Sequence, residues 1–269
     1  MSSRRLVALL AVAVVGGAVA ATVLLSGGDD QVPPAVTGRP TIVQDDAQVL
    51  HRSTREVRRT VRMLRALGVD WLRVSANWSF VAPAPRSPRR PRFDATDPEA
   101  YPPGAWDELD RAVREAHAAG LAISIDVGFW APRWATARPS PEPDRQRDGI
   151  DPAAFADFAE AVVRRYGDRA VAYTIWNEPN YQVFLRPQWR RTSHAFGRAP
   201  PEGATGENGG FQETAGWEVA SAGAYRAMVV AAVPRIRRHA SRPLVLIGAT
   251  AAFGTSRPRS RTDAVAPLR

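Results

Sequence analysis

YTIWNEPN, residues 173–180, changes character in its middle. Tyr173 and Ile175, with the apolar residues before them, read as a buried strand. The chain then turns polar at once: Asn177, Glu178 and Asn180 stand around Pro179. An apolar strand that ends on an amide and a carboxylate places polar chemistry at a strand end. What surrounds that strand decides the fold.

Working outward, strand and helix patterns alternate. TIVQ (41–44), DWLRVSA (70–76), LAISIDVG (121–128), AVAYTIW (170–176) and PLVLIGA (243–249) are the strand candidates, read as largely continuous apolar runs. Between them lie helical spacings. Val57, Val61, Leu64 and Leu67 end at Gly68; Trp106, Leu109, Val113 and Ala116 end at Gly120. Phe155, Phe158, Val162 and Tyr166 follow an Asp151-Pro152 start, and Tyr225, Met228, Val229, Ala232 and Ile236 share a fourth stripe. A polar loop containing GATGENGG (203–210) precedes that last helix. Alternation of this kind predicts a parallel sheet covered by helices, either an open doubly wound sheet or a (β/α)8 barrel. A dinucleotide-binding sheet carries a glycine-rich turn after its first strand. Here that turn reads QDDAQVLH, without glycine. Polar and aromatic residues gather instead after the second, third and fourth strands, as they do at the C-terminal face of a barrel. The expected fold class is therefore α/β, of the (β/α)8 TIM-barrel type, with its first five β/α units legible over residues 41–269.

IWNEPN at the end of a fourth strand resembles the acid/base signature of the clan-A glycoside hydrolases, the barrel group that includes families 5 and 39. LGVDWLRVSANWSFVAP resembles that group's second strand, with its Arg and a following Trp. WAPRWA resembles a third-strand segment, and NEPNYQVFLRP the loop after the acid/base. The resemblance implies retaining hydrolysis of O-glycosidic bonds in a poly- or oligosaccharide, without metal or organic cofactor. It implies that Glu178 is the general acid/base, that Asn177 bonds a sugar 2-hydroxyl, and that Arg73 orients the nucleophile. A guanidinium inside a barrel also requires an acidic partner, so Arg73 predicts a carboxylate opposite. Trp78, Trp130 and Trp134, just past strand ends, are expected to give sugars a flat apolar contact and an N–H donor. Asn180 joins them as a substrate-binding candidate, and Trp176 is expected to pack beneath the site. No histidine stands in SIDVGFW, where many family 5 members carry one after the third strand.

In this clan the nucleophile is a Glu at the end of a seventh strand. Glu202, Glu207, Glu213 and Glu218 all precede the fifth strand candidate, and a whole barrel takes about 250 residues. The reading is thus of a barrel's first part lacking that Glu, with DAVAPLR (263–269) as the start of a further helix. A catalytically incomplete carbohydrate-binding surface protein is the alternative.

The rest of the composition excludes more than it assigns. The chain has 269 residues, 45% hydrophobic and 23% charged, enough for a packed core. It has no cysteine, so no disulfide and no thiolate metal site, and its four histidines lack metal-ligand spacing. The net charge is +9, carried by arginine alone. The arginines are scattered over helix faces and loops without a nucleic-acid-reading motif, so no nucleic-acid partner is expected. Arg4-Arg5 precede an uncharged stretch from Leu6 to Leu25. Residues 1–25 read as a signal anchor or a signal peptide, Ala18-Val19-Ala20 resembling a cleavage site. Residues 26–40, rich in Gly, Pro and Asp, read as a linker. An extracytoplasmic location follows, membrane-anchored or secreted.

Overall fold

The computed structural model describes residues 39–191, 216–256 and 258–267. The leader, nearly all of the linker, and the GATGENGG stretch lie outside them. Five parallel strands form one sheet: β1 (Ile42–Gln44), β2 (Trp71–Ala76), β3 (Ala122–Val127), β6 (Ala172–Ile175) and β9 (Leu244–Leu246), side by side in chain order. That order excludes a doubly wound sheet, whose strand order reverses at a switch point. It is the order of successive units in a (β/α)8 barrel, and the described strands are five such units.

The helices start where the sequence caps them. Helix α1 (Asp46–Val49) opens on the Asp45 carboxylate. In α2 (Thr54–Ala66), Ser53 and Glu56 form a reciprocal capping box that satisfies two free N–H groups. Helix α4 (Asp107–Ala118) carries Asp107, Glu108 and Asp110 at its positive end. Helix α5 (Pro152–Tyr166) has Asp151 accepting from Ala153 and Ala154, with Pro152 in the first turn. Helix α6 (Ala220–His239) runs through Pro234 and buries Met228, Ala232 and Ile236. Helix α4 packs on β2 and β3, and α6 on β6.

The register sorts the sheet into two unlike faces. Leu72, Ile123 and Ile125, with Tyr173 and Ile175, alternate onto a predominantly apolar face and are all fully buried. On the other face stand Gln44, Arg73, Ser75, Ser124, Asp126 and Thr174. Residues i and i+2 of a strand share a face, so this alternation is built into WLRVSA and AISIDV. The expectation of continuous apolar strands is corrected here. β2 and β3 carry a polar stripe on the face away from the helices.

Other elements were not expected from the sequence. A one-turn helix, α3 (Trp78–Val81), follows β2. Two antiparallel hairpins join β4 (Thr136–Arg138) to β5 (Asp148–Ile150) and β7 (Trp189–Arg191) to β8 (Trp217–Val219). The start of a helix expected at 263–269 is absent over residues 263–267. There Val265 bridges Thr255, and its N–H donates to the Asn180 carbonyl at 2.9 Å.

Candidate active site

In a parallel sheet every strand points the same way, so the loops after β2, β3 and β6 leave one edge together. Arg73 lies on β2, Asp126 on β3, and Asn177 and Glu178 directly follow β6. Arg73 pairs in register with Ser124, and Asp126 sits two residues further along the same face. That diagonal suits the length of an arginine. Arg73 Nη2 donates to Asp126 Oδ2 at 2.7 Å and to Asn177 Oδ1 at 3.3 Å. The carboxylate that Arg73 called for is therefore Asp126, which reading the third strand as an apolar run had concealed. The signal was present as the alternation of Ser124 and Asp126 with Ile123, Ile125 and Val127.

Asp126 is wholly buried. Burial pushes its carboxyl well above the ordinary carboxylate range, against the pull of Arg73, and nearby Asp46 pushes it the same way. Asp46 Oδ1 itself accepts from the Ser75 N–H at 3.1 Å, continuing the β1–β2 edge past Gln44.

Glu178 is held by its backbone. Its N–H donates to the Ala249 carbonyl at 2.8 Å, and its φ is +38°. Trp176 two residues earlier has φ +61°. A non-glycine residue in this region costs on the order of 1–3 kcal/mol. Pro179 adds its own restriction, because a residue before proline is biased toward extended backbone. The half-buried Glu178 carboxylate makes no hydrogen bond or ion pair among the described residues. Trp176, buried as expected, packs on Phe155 with ring centroids 5.5 Å apart and lies over Gly128. Gly128 has φ +98°, and a Cβ there would sit 2.4 Å from the indole, so the close approach needs glycine.

The tryptophan platform is not assembled as expected. Trp78 is 0% exposed: α3 turns it inward against Phe158, stacked at 5.4 Å, and against Trp134 edge-on at 5.8 Å. It is a core residue, with no ring face toward solvent. Trp130 and Trp134 are half-buried, and both indole N–H groups are already used, by the Val183 carbonyl at 3.0 Å and the Pro83 carbonyl at 3.1 Å. Arg145 lies over Trp130 and Arg90 over Trp134, at 4.5 and 5.2 Å from the ring centroids. Neither indole offers the free N–H handle expected of it. Replacing Trp78 by Ala should lower unfolding free energy by about 3–5 kcal/mol, the cost of emptying a large aromatic core site. Chemical denaturation measures this, and a loss under 1 kcal/mol would contradict a core role.

Asn180 is also corrected. It is buried, and its amide nitrogen donates to the carbonyls of Ala251, Phe253 and Val265 while its oxygen accepts from the Ala251 N–H. With its side chain fully committed, it clamps the segment after β9 onto the β6 loop. No cluster of three or more metal-ligating side chains is present among the described residues, and no helix among them is long and apolar enough to cross a membrane.

No family model and no curated protein matches the chain. Among solved structures it is similar to GH5_18 from Streptomyces cattleya in complex with GlcNAc, at 18% identity and TM-score 0.44, covering 78% of this chain and 44% of that one. It is similar to a family 39 glycoside hydrolase from the gut symbiont Bacteroides cellulosilyticus WH2, at 15% identity and TM-score 0.43, covering 78% and 32%. It is also similar to the psychrophilic beta-glucosidase BglU from Micrococcus antarcticus, at 21% identity and TM-score 0.43, covering 72% and 34%. The chain thus spans less than half the length of each.

Proposed function

We propose that this chain carries the acid/base part of a retaining glycoside hydrolase acting on O-glycosidic bonds of a poly- or oligosaccharide. The observation that carries the reading is the assembly at the end of β6. Asn177 is anchored through its oxygen to Arg73, which leaves its NH2 to donate, and Glu178 beside it presents an unengaged carboxyl. Cleavage of a glycosidic bond needs a carboxylic acid to protonate the departing oxygen, while a second carboxylate attacks the anomeric carbon or activates water. Glu178 takes the first part. Its backbone, bonded to Ala249 and strained at φ +38°, holds it at the end of a strand, where a proton donor is better positioned than on a free loop. Asn177 donates to a hydroxyl next to the cleaved bond. Arg73, held by Asp126, fixes Asn177. Asp46 and Asp126 are tied to the Ser75 backbone and to Arg73, so neither is assigned the nucleophile's part.

Export is part of this reading: Arg4-Arg5 before the uncharged stretch Leu6–Leu25 supports it, with or without membrane attachment.

The test is a panel of aryl glycosides and neutral oligosaccharides given to the complete polypeptide. Release of reducing ends is measured together with binding by calorimetry. Turnover with the anomeric configuration retained in the first product is the expected result. Binding without turnover would replace the enzyme by a carbohydrate-binding surface protein, and neither binding nor turnover would remove both.

A further inference from the structure

The short helix α3 that turns Trp78 into the core turns its neighbour Phe80 outward. Phe80 is 51% exposed, with its ring centroid 6.4 Å from that of Trp130. It borders a shallow cavity, wide open to solvent and about 530 Å³ in volume, between the loop after β2 and the loop after β3, lined also by Ser79, Pro85, Arg86 and Asp144. Across it, Arg86 Nε and Nη2 donate to the two carboxylate oxygens of Asp144, both at 2.7 Å. The two loops are tied together. Ser79 Oγ donates to the Asp144 carbonyl at 2.8 Å, and the Ser79 N–H to the Trp130 carbonyl at 2.9 Å. The Arg133 N–H donates to the Pro85 carbonyl at 2.6 Å.

We propose that this cavity is a subsite for a neutral pyranose ring of an oligosaccharide, with Phe80 covering its C–H face and the Arg86–Asp144 pair bonding its hydroxyls. Three features select that ligand. An exposed aromatic face attracts the apolar face of a sugar. A bidentate pair keeps outward N–H groups and lone pairs, so it both donates to and accepts from neighbouring hydroxyls. The pair is internally neutralised, so an anionic ring would compete with Asp144 and a cationic one with Arg86. The cavity opens at the sheet end that carries Glu178. If the glycoside-hydrolase reading holds, on which this consequence alone rests, the subsite binds a ring other than the one being cleaved. Binding energy from such a ring raises the efficiency of long substrates over short ones.

The experiment titrates the complete polypeptide with neutral five-ring β-1,4-linked gluco-, manno- and xylo-oligosaccharides, and with an acidic uronate oligosaccharide as control. The proteins are wild type, Phe80→Ala, Phe80→Trp and the charge-neutral double variant Arg86→Gln/Asp144→Asn. Phe80→Ala should weaken the best neutral ligand about fivefold to tenfold. Phe80→Trp should restore the affinity, and the double variant should weaken it comparably. Phe80 is half in solvent, so its variants are expected to fold, and the recovery in Phe80→Trp separates stacking from damage. Affinity of Phe80→Ala within twofold of wild type, preference for the acidic ligand, or no binding of any of these sugars would overturn the subsite. Turnover that depends on Glu178 but is indifferent to Phe80 would remove the subsite and leave the hydrolase reading. Phe80-dependent binding without turnover would do the reverse.

Discussion

Glu178→Gln should cut glycoside turnover by the complete polypeptide about 10²- to 10⁴-fold, the usual contribution of a positioned general acid or base. Glutamine keeps the shape and an acceptor oxygen but has no proton to deliver. The backbone that aims the side chain is unchanged, because the N–H bond to Ala249 and the φ of +38° belong to the main chain. Sugar affinity should therefore stay within about threefold, the half-buried carboxyl carrying little of the ground-state binding. The loss should be smallest for nitrophenyl glycosides, whose leaving group departs without protonation. Unchanged turnover on unactivated substrates would remove Glu178 from the mechanism.

The second large effect is structural. Arg73→Met should destabilise the fold by about 3–5 kcal/mol at neutral pH, because Asp126 is then a buried carboxyl without its counter-charge. The penalty has a sign in pH. Burial already holds the folded Asp126 carboxyl above its unfolded value, and loss of Arg73 raises it further. The native state then keeps a proton that the unfolded chain releases. Its stability falls as pH rises from about 4 through the folded value, and the deficit against wild type shrinks as pH drops back. Arg73→Met/Asp126→Leu should recover most of the loss, since well-packed apolar side chains often replace a buried ion pair at little cost. Urea melts at several pH values measure all three quantities. A deficit that is small, or that ignores pH, would mean that the pair is not the buried ionic contact described.

Much of the fold was legible because it rests on local chemistry. Ser53 and Glu56, Asp151 and Pro152, and the glycines at 68 and 120 mark helix ends through bonds and backbone angles settled within a few residues. The five strands lie between those ends, each recognisable from its apolar residues even where, as in β2 and β3, polar ones alternate with them. The NEPN motif was legible for the same reason: Asn177, Glu178 and Pro179 are contiguous, and their placement after β6 follows from the strand that precedes them. The expectation that Arg73 needs a carboxylate was also available, because a guanidinium on a sheet's inner face cannot stand alone.

What the sequence alone determined, then, is the alternation of strand and helix, the strand-end motif and the demand for a partner to Arg73. Only the tertiary structure decided which partner, because Asp126 is 53 residues away and reaches Arg73 through the β2–β3 register. It decided that Trp78 faces the core and Phe80 the solvent, since one helical turn after β2 rotates neighbouring side chains to opposite sides. It decided that Asn180 is a clamp, because the carbonyls that its amide meets come from 71 to 85 residues further along the chain. Contacts within a turn are set by neighbouring residues and can be read in order. Contacts between elements depend on register and packing, which no local stretch contains.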